Sequence, residues 1–280
     1  MAKQDDLRLD VRKMYKLYIG GAFVRSESGR SDPLWDGKAF GANIARASRK
    51  DVRDAVVAAR AAHVKWAKTV PATRGLVLYR LAEMMEARRA EFPSDEVGAA
   101  IDRIVWYAGW CDKYSALLST RNPVGGPHFN FSTVEPTGVV GLMAPDKPGL
   151  LGLVSVIVPA LVAGNAVVAV ASETDPRTAI VFAEALATSD LPAGVVNILT
   201  GRRSELGPIL AKHMDVNAFG FEDVDADLTR AIQTDAADNV KRVRVWHKRN
   251  TDGWFSEDAQ SLDDIAQYCE VKTIWHPAGV

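Results

Sequence analysis

The sequence predicts an α/β protein built on a doubly wound, Rossmann-like parallel sheet. Short apolar strands alternate with helices from Gly138 to Trp246, which is typical of a parallel sheet covered by helices on both faces. Turn-forming residues separate these elements at Gly164-Asn165, Pro192-Ala193-Gly194 and Gly201. A layer of amphipathic helices precedes the sheet, since apolar side chains recur there at helical spacing.

The helical layer is expected over residues 48–119. Its first helix is predicted at Arg49–Lys68, with Ser48 as the N-cap, and the second and third at Thr73–Ala90 and Ser94–Ser119. Residues 125–135 follow, where Phe129, Phe131 and Val134 are interspersed with polar residues as in exposed strands.

The α/β core is expected over residues 138–246. Its predicted elements are, in order, strand Gly138–Met143, helix Leu150–Ala163, strand Ala166–Val170, helix Pro176–Ser189, strand Val195–Leu199, helix Ser204–Lys212, strand Ala218–Phe221, helix Val224–Thr234 and strand Arg242–Trp246. Ligands of such folds bind beyond the carboxyl ends of the strands. Those ends are predicted at Ala144–Pro148, Ala171–Asp175, Thr200–Ser204 and Glu222–Asp225.

Composition excludes several classes of function. The chain has 34 basic and 35 acidic residues, which argues against a nucleic-acid-binding surface, and its basic run Lys241–Arg249 alternates with apolar residues as in a strand. The apolar region Leu150–Val170 is interrupted by Pro159 and Gly164, so no membrane span is expected. The histidines show no metal-ligand spacing. Two cysteines and a charged N-terminus favour a cytoplasmic protein.

Six segments, in order, resemble the aldehyde dehydrogenase superfamily. They are Tyr18-Ile19-Gly20-Gly21 with Phe23, Asp51-Val52 through Trp66 and Arg74, Tyr107-Ala108-Gly109-Trp110, Glu135–Gly141 with Ala144-Pro145, Pro159-Ala160-Leu161 with Ala163-Gly164-Asn165, and Leu191–Asn197 with Thr200-Gly201. The resemblance implies that residues 1–246 form the cofactor-domain region of that family, with 125–135 as its oligomerisation-type strands. Residues 247–280 would be a C-terminal remnant whose strand 271–275 resembles the family's closing strand; coincidence is the alternative for that short motif.

The resemblance also implies a cofactor crevice, but its residues depart from the family pattern. Lys147 stands where the family has an asparagine oxyanion donor, and Val170 stands where a lysine holds the cofactor ribose, although Glu173 is retained. Glu222 and Asp223 replace the small residues against which the pyrophosphate lies, so carboxylates would fill that site and repel phosphate. The remaining candidate crevice residues are Pro145, Ser172, Gly201 and Phe221.

The thiol nucleophile of the family has no counterpart in the expected place. His247-Lys248-Arg249-Asn250 follows the last core strand, where the family has a Glu-Leu-Gly-Gly stretch and then a Gly-Gln-x-Cys loop. Cys269 lies between Tyr268 and Glu270 at the entrance of a predicted strand, and Cys111 lies in a predicted helix, so packing is the better interpretation of both. Neither Cys269 nor Lys147 is a strong catalytic candidate.

These departures favour a non-catalytic family member that assembles with itself or with a complete aldehyde dehydrogenase. No cofactor is then expected, although NAD or NADP would bind if the crevice were functional. Two alternatives remain: an active NAD(P)-dependent aldehyde dehydrogenase, alone or completed by a partner chain, and a module that binds another small molecule. Because little chain is left after Trp246 to cover the sheet, we expect exposed apolar surface and therefore association rather than a stable monomer.

Overall fold

The computed structural model describes residues 11–223, 225–247 and 249–278. The strands are β1 Met14–Tyr15, β2 Leu17–Ile19, β3 Ala22–Val24, β4 Ser31–Asp36, β5 Ala39–Ala45, β6 Thr120–Asn122, β7 His128–Pro136, β8 Val139–Met143, β9 Ala166–Val170, β10 Val196–Leu199, β11 Ala218–Asp223, β12 Arg242–His247 and β13 Cys269–Pro277. The α-helices are α1 Arg49–Ala67, α2 Pro71–Ala87, α3 Val97–Ala108, α4 Tyr114–Leu118, α5 Gly149–Val162, α6 Pro176–Leu186, α7 Arg203–Lys212, α8 Ala226–Ala237, α9 Thr251–Phe255 and α10 Leu262–Ala266.

The central sheet has seven strands in the order β12-β11-β8-β9-β10-β2-β3. The five strands from β12 to β10 are parallel, and the hairpin β2–β3 adds antiparallel at the far edge. The chain winds outward from β8 through β9 to β10, then crosses back to β11 on the other side of β8. This confirms the predicted doubly wound α/β fold.

Both faces of the sheet are covered by the chain's own helices. Every residue of β8 and β9 is buried, and alternate residues of each strand belong to different apolar clusters. One cluster contains α2, α3, α5 and α6, and the other contains α1 and α7. The expectation of an uncovered sheet was therefore wrong, because α2 and α3 form an outer layer over α5 and α6. Exposed apolar side chains lie elsewhere on the surface.

The first helix begins where the sequence predicts. The side chain of Ser48 accepts hydrogen bonds from the backbone amides of Lys50 and Asp51, and the carboxylate of Asp51 accepts one from the amide of Ser48 at 2.7 Å. The same carboxylate also accepts from the Ser26 hydroxyl and the Glu27 amide, so it ties the preceding loop to the helix. Such reciprocal capping satisfies amides that a helix start otherwise leaves unpaired.

The predicted third helix, Ser94–Ser119, is divided in two in the structure. It begins at Val97 and stops at Ala108, and α4 resumes at Tyr114. The amides of Trp110, Cys111 and Lys113 bond three residues back instead of four, which tightens the chain into turns. The break lets Cys111 and Tyr114 both reach the core.

A second, three-stranded sheet has the order β13-β7-β6. Its β13 pairs antiparallel with β7 along its whole length, from Cys269 opposite Pro136 to Pro277 opposite His128. The strand predicted at 271–275 is present and is longer than expected at both ends. It therefore joins the region predicted to hold protruding strands.

Residues 249–268 connect the two sheets and contain the short helices α9 and α10, for which the sequence analysis made no prediction. They are held by the guanidinium of Arg103 on α3, which is buried and forms its hydrogen bonds within the described residues to carbonyls and a hydroxyl rather than to a carboxylate. Its Nη1 donates to the Ala259 carbonyl at 2.7 Å and to the Ser155 hydroxyl at 2.8 Å, and its Nη2 donates to the Trp254 carbonyl at 2.9 Å. Burial lowers the pKa of Arg103. Trp254 is consequently buried beside α5.

Candidate functional site

The carboxyl ends of β8, β9 and β10 meet at one edge of the central sheet, as the topology requires. The loops after β8 and β9 and the start of α7 contribute Asp146, Ser172, Glu173 and Arg203. Direct hydrogen bonds join these four residues into one network. The sequence analysis predicted that all three of these segments lie at a ligand crevice.

Asp146 is at the centre of the network. One carboxylate oxygen accepts from the Glu173 amide at 2.8 Å and from the Ser172 hydroxyl at 3.2 Å. The other accepts from Nη1 of Arg203 at 2.9 Å. The side chain of Asp146 remains partly exposed despite these hydrogen bonds, and the side chain of Lys147 is exposed.

Arg203 is the residue of this network that sequence reasoning missed. Its side chain is only 5% exposed and its single ion pair is with Asp146. Within the part of the chain that the structure describes, its Nε and Nη2 have no hydrogen-bond partner. The sequence feature that could have indicated Arg203 is the pair Arg202-Arg203 directly after Gly201. The pair lies where a helix begins, and a large cationic side chain is unexpected at such a position.

Glu173 occupies the amino terminus of α7. Its carboxylate accepts a hydrogen bond from the backbone amide of Arg203, the first residue of that helix. The following helix, α6, has its own N-cap, because the side chain of Asp175 accepts from the Thr178 amide. Since free amides at a helix start attract anions, Glu173 fills a place that a phosphate would otherwise be drawn to.

The other predicted crevice residues are divided between the surface and the core. Glu173 and Gly201 line a hollow of about 330 Å³ together with Asp32 and Ile44. Ser172 is buried and bonds to the backbone carbonyl of Asp146 as well as to its carboxylate. Pro145 is buried against Gly152 on α5, and Phe221 lies in the core on the opposite side from α5. The predicted set therefore does not line a single cavity.

Glu222 does not lie at a helix start as predicted. It belongs to β11, it is buried, and its carboxylate accepts from the backbone amide of Arg249 at 3.2 Å. The helix after β11 is capped instead by Asp225, which accepts from the Leu228 amide at 2.8 Å. The prediction for Val224 and for the side chain of Asp223 lies outside the described residues.

Both cysteine thiols are buried, and their raised pKa values keep them protonated at neutral pH. Cys269 is the first residue of β13 and Cys111 follows α3, and each is at most 2% exposed. Burial raises the pKa of Cys269 and that of Cys111 to about 12 in each case, despite nearby arginines that act in the opposite direction. Because the thiolate is the reactive form, neither sulfur is activated at neutral pH.

Metal binding and membrane spanning find no support in the described residues. No group of three or more histidine, cysteine, aspartate or glutamate side chains there is arranged to hold a metal ion. None of the helices within residues 11–278, the gaps at 224 and 248 apart, combines the length and apolarity needed to cross a bilayer.

Comparison with known proteins identifies the family. The family model for the aldehyde dehydrogenase family matches residues 30–247. Cytosolic 10-formyltetrahydrofolate dehydrogenase of Xenopus laevis is 33% identical over 259 residues, which cover 85% of this chain and 28% of that protein. Its human counterpart is 32% identical over 257 residues, covering 84% and 28%.

Solved structures show the same relationship. An aldehyde dehydrogenase of Bacillus cereus in complex with NAD+ superposes with a TM-score of 0.78 and 25% sequence identity, covering 84% of this chain and 51% of that one. The chain thus spans between a quarter and about half the length of these relatives. With the match over residues 30–247, the chain belongs to the aldehyde dehydrogenase family.

Proposed function

We propose that this chain is a non-catalytic member of the aldehyde dehydrogenase family. The observation that carries the proposal is the internal network at the carboxyl edge of the sheet. Asp146 binds Nη1 of Arg203, and Glu173 binds the first amide of α7, so the chain's own carboxylates occupy two of the groups that would attract an anionic ligand. A dinucleotide carries two phosphate charges, and those charges would meet two carboxylates. The residues at this edge therefore do not fit NAD or NADP.

The chemistry of the thiols supports the same proposal. Between β12 and β13 the chain has only residues 248–268, which carry no cysteine. Cys269 and Cys111 are buried and their pKa values are raised to about 12. No group in the described residues is therefore placed to attack an aldehyde carbon as a thiolate.

We further propose that the chain acts as a structural or regulatory subunit, in contact with itself or with a complete aldehyde dehydrogenase. The sheet formed by β13, β7 and β6 supports this role. Val271 is 65% exposed, Trp275 is 60% exposed and Phe129 is 42% exposed, which is unusual for apolar side chains of these sizes on one small sheet. A cytoplasmic location is part of the proposal, because both cysteines are unpaired.

Titration calorimetry with NAD and with NADP, together with an aldehyde turnover assay, tests the non-catalytic role. We expect a dissociation constant above about 1 mM, which corresponds to less than about 4 kcal/mol of binding free energy. We also expect no reduction of either cofactor over a panel of aliphatic and aromatic aldehydes. Micromolar binding of NAD, or turnover by the isolated chain, would contradict the proposal.

A double variant tests the physical cause. Asp146→Asn with Glu173→Gln removes both carboxylate charges, and affinity for NAD is then expected to rise, most visibly at low salt. Glu205→Gln is the matched control, since Glu205 is also in the first turn of α7 but pairs with Arg46, outside the network. If control and double variant bind NAD equally weakly, the internal carboxylates are not what excludes the cofactor.

A further inference from the structure

A small polar cavity lies between α5 and the connection formed by residues 249–268. Its lining includes Ser155 of α5, Trp254 of α9 and Tyr268, which directly precedes β13. The space open to the centre of a water molecule is about 10 Å³, which is about what one water molecule needs. None of the four residues of the network at the carboxyl edge of the sheet lines it, so this cavity is separate from the crevice described above.

Three polar side-chain atoms of the lining residues are buried and have no hydrogen-bond partner among the described residues. They are Nε1 of Trp254, Oε1 of Gln267 and the hydroxyl oxygen of Tyr268. Trp254 is only 2% exposed and Tyr268 only 1% exposed, so bulk water does not reach them. Folded proteins rarely leave buried polar atoms unpaired. Three of them around one cavity therefore indicate a ligand that hydrogen-bonds to all three.

The chemistry of the three atoms defines that ligand. The indole N–H of Trp254 can only donate a hydrogen bond. The amide oxygen of Gln267 can only accept one, and its orientation is fixed because Nε2 of the same side chain donates to the Asp264 carbonyl at 3.1 Å. Burial raises the pKa of Tyr268, so its hydroxyl keeps its proton and can donate or accept. The ligand must consequently accept from one side chain and donate to another.

The charges around the cavity favour a neutral ligand. One carboxylate, that of Asp264, and one guanidinium, that of Arg249, belong to the lining. Asp264 accepts from the Ser261 hydroxyl at 3.0 Å, and the Arg249 guanidinium lies 5.2 Å from the centre of the Trp254 ring. The carboxylate would repel an anion and the guanidinium would repel a cation, since both charges lie in a poorly solvated site. A halide, moreover, could not donate to Gln267, and a metal ion could not accept from Trp254.

We propose that this cavity binds a single water molecule, which accepts from the indole N–H of Trp254, donates to the amide oxygen of Gln267 and pairs with the hydroxyl of Tyr268. Three hydrogen bonds are the usual number for a buried water. Trp254 lies on α9, whereas Gln267 and Tyr268 follow α10, so the water links the two halves of the connection between the sheets. This inference goes beyond the proposed function and holds whether or not the chain is catalytic.

The first test is a crystal structure of the full chain, grown with bromide and at a resolution that shows ordered water. We expect one peak of density within about 2.5–3.2 Å of the three unpaired atoms of Trp254, Gln267 and Tyr268, without an anomalous bromide signal. Trp66 is the internal control, because its indole is also buried but donates directly to the Leu161 carbonyl at 3.2 Å, where no water is expected. A cavity without density, or with bromide in it, would overturn the proposal.

A double-mutant cycle tests the bridge in solution. Trp254→Phe removes the indole donor and Tyr268→Phe removes the hydroxyl, while each variant keeps an aromatic ring. Because either change breaks the same bridge, the second change costs less once the first has been made. Each variant should raise the equilibrium constant of unfolding in urea titrations. We expect the increase in the double variant to be at least about threefold smaller than the product of the two single increases.

Trp254→Phe combined with Tyr18→Phe is the matched control cycle. Tyr18 is buried as Tyr268 is, but it lies on β2, whereas the cavity is lined by Trp246 of β12 at the opposite end of the central sheet. The two increases in the control cycle should therefore multiply. Circular dichroism verifies that all variants are folded. If the increases for Trp254 and Tyr268 multiplied as well, the two side chains would share no water, and the proposal would be wrong.

Discussion

Replacing Arg103 by leucine is expected to release residues 249–268 from α3. The substitution removes the donors that hold the carbonyls of Trp254 and Ala259, both at less than 3 Å, inside a buried site. A hydrogen bond from a charged group contributes about 1.5–3 kcal/mol, and a buried carbonyl left unpaired costs about 1–3 kcal/mol. Leucine also avoids the cost of burying a cation, which offsets part of that loss.

We therefore expect the free energy of unfolding to fall by about 3 kcal/mol. For a chain of this size, about 2–4 °C of Tm is lost per kcal/mol, so the melting temperature should drop by roughly 6–12 °C. Calorimetry measures the shift, and hydrogen exchange locates it, since amides of residues 249–268 should lose protection before those of β8 and β9.

Arg80→Leu is the matched control for this experiment. Arg80 lies on α2, is half exposed and pairs with Glu83 three residues later, so the same substitution there should have little effect on stability. The reasoning about Arg103 would be refuted if both variants melted within a degree of each other and showed equal protection of residues 249–268. That result would mean that the carbonyls of Trp254 and Ala259 accept hydrogen bonds from other donors in the variant.

Two further outcomes are expected. Asp51→Ala should lower the free energy of unfolding by about 1–2 kcal/mol in urea titrations, because the capping box and the contacts to Ser26 and Glu27 are lost together; a change below about 0.3 kcal/mol would contradict that role. Cys111 and Cys269 should react with a thiol reagent only after denaturation. Their folded pKa values of about 12 also predict a stability that falls as pH rises above about 9, where the unfolded thiols ionise. Cys111→Ala with Cys269→Ala should reduce that fall between about pH 9 and 10, below the range in which unfolded tyrosines ionise.

Local hydrogen bonding and apolar periodicity explain what could be predicted from the sequence. The capping box of Ser48 and Asp51 can be predicted from the sequence because its two partners are only three residues apart. The uninterrupted apolar residues of β8 and β9 likewise indicate strands buried on both faces. The break between α3 and α4 was missed, because apolar periodicity continues through residues 109–113 while the backbone there changes to tighter turns.

The chemistry of the crevice was decided only by the tertiary structure. The sequence showed that lysine, asparagine and small residues of the family pattern were absent, but it did not show what replaced them. Asp146 and Arg203 are 57 positions apart, and Glu173 meets the start of α7 across 30 positions. Partners at such separations are chosen by strand order and helix packing, which bring the ends of β8, β9 and β10 to one edge. The sequence alone therefore showed which residue types replace the family pattern, whereas the tertiary fold decided which of these residues form pairs.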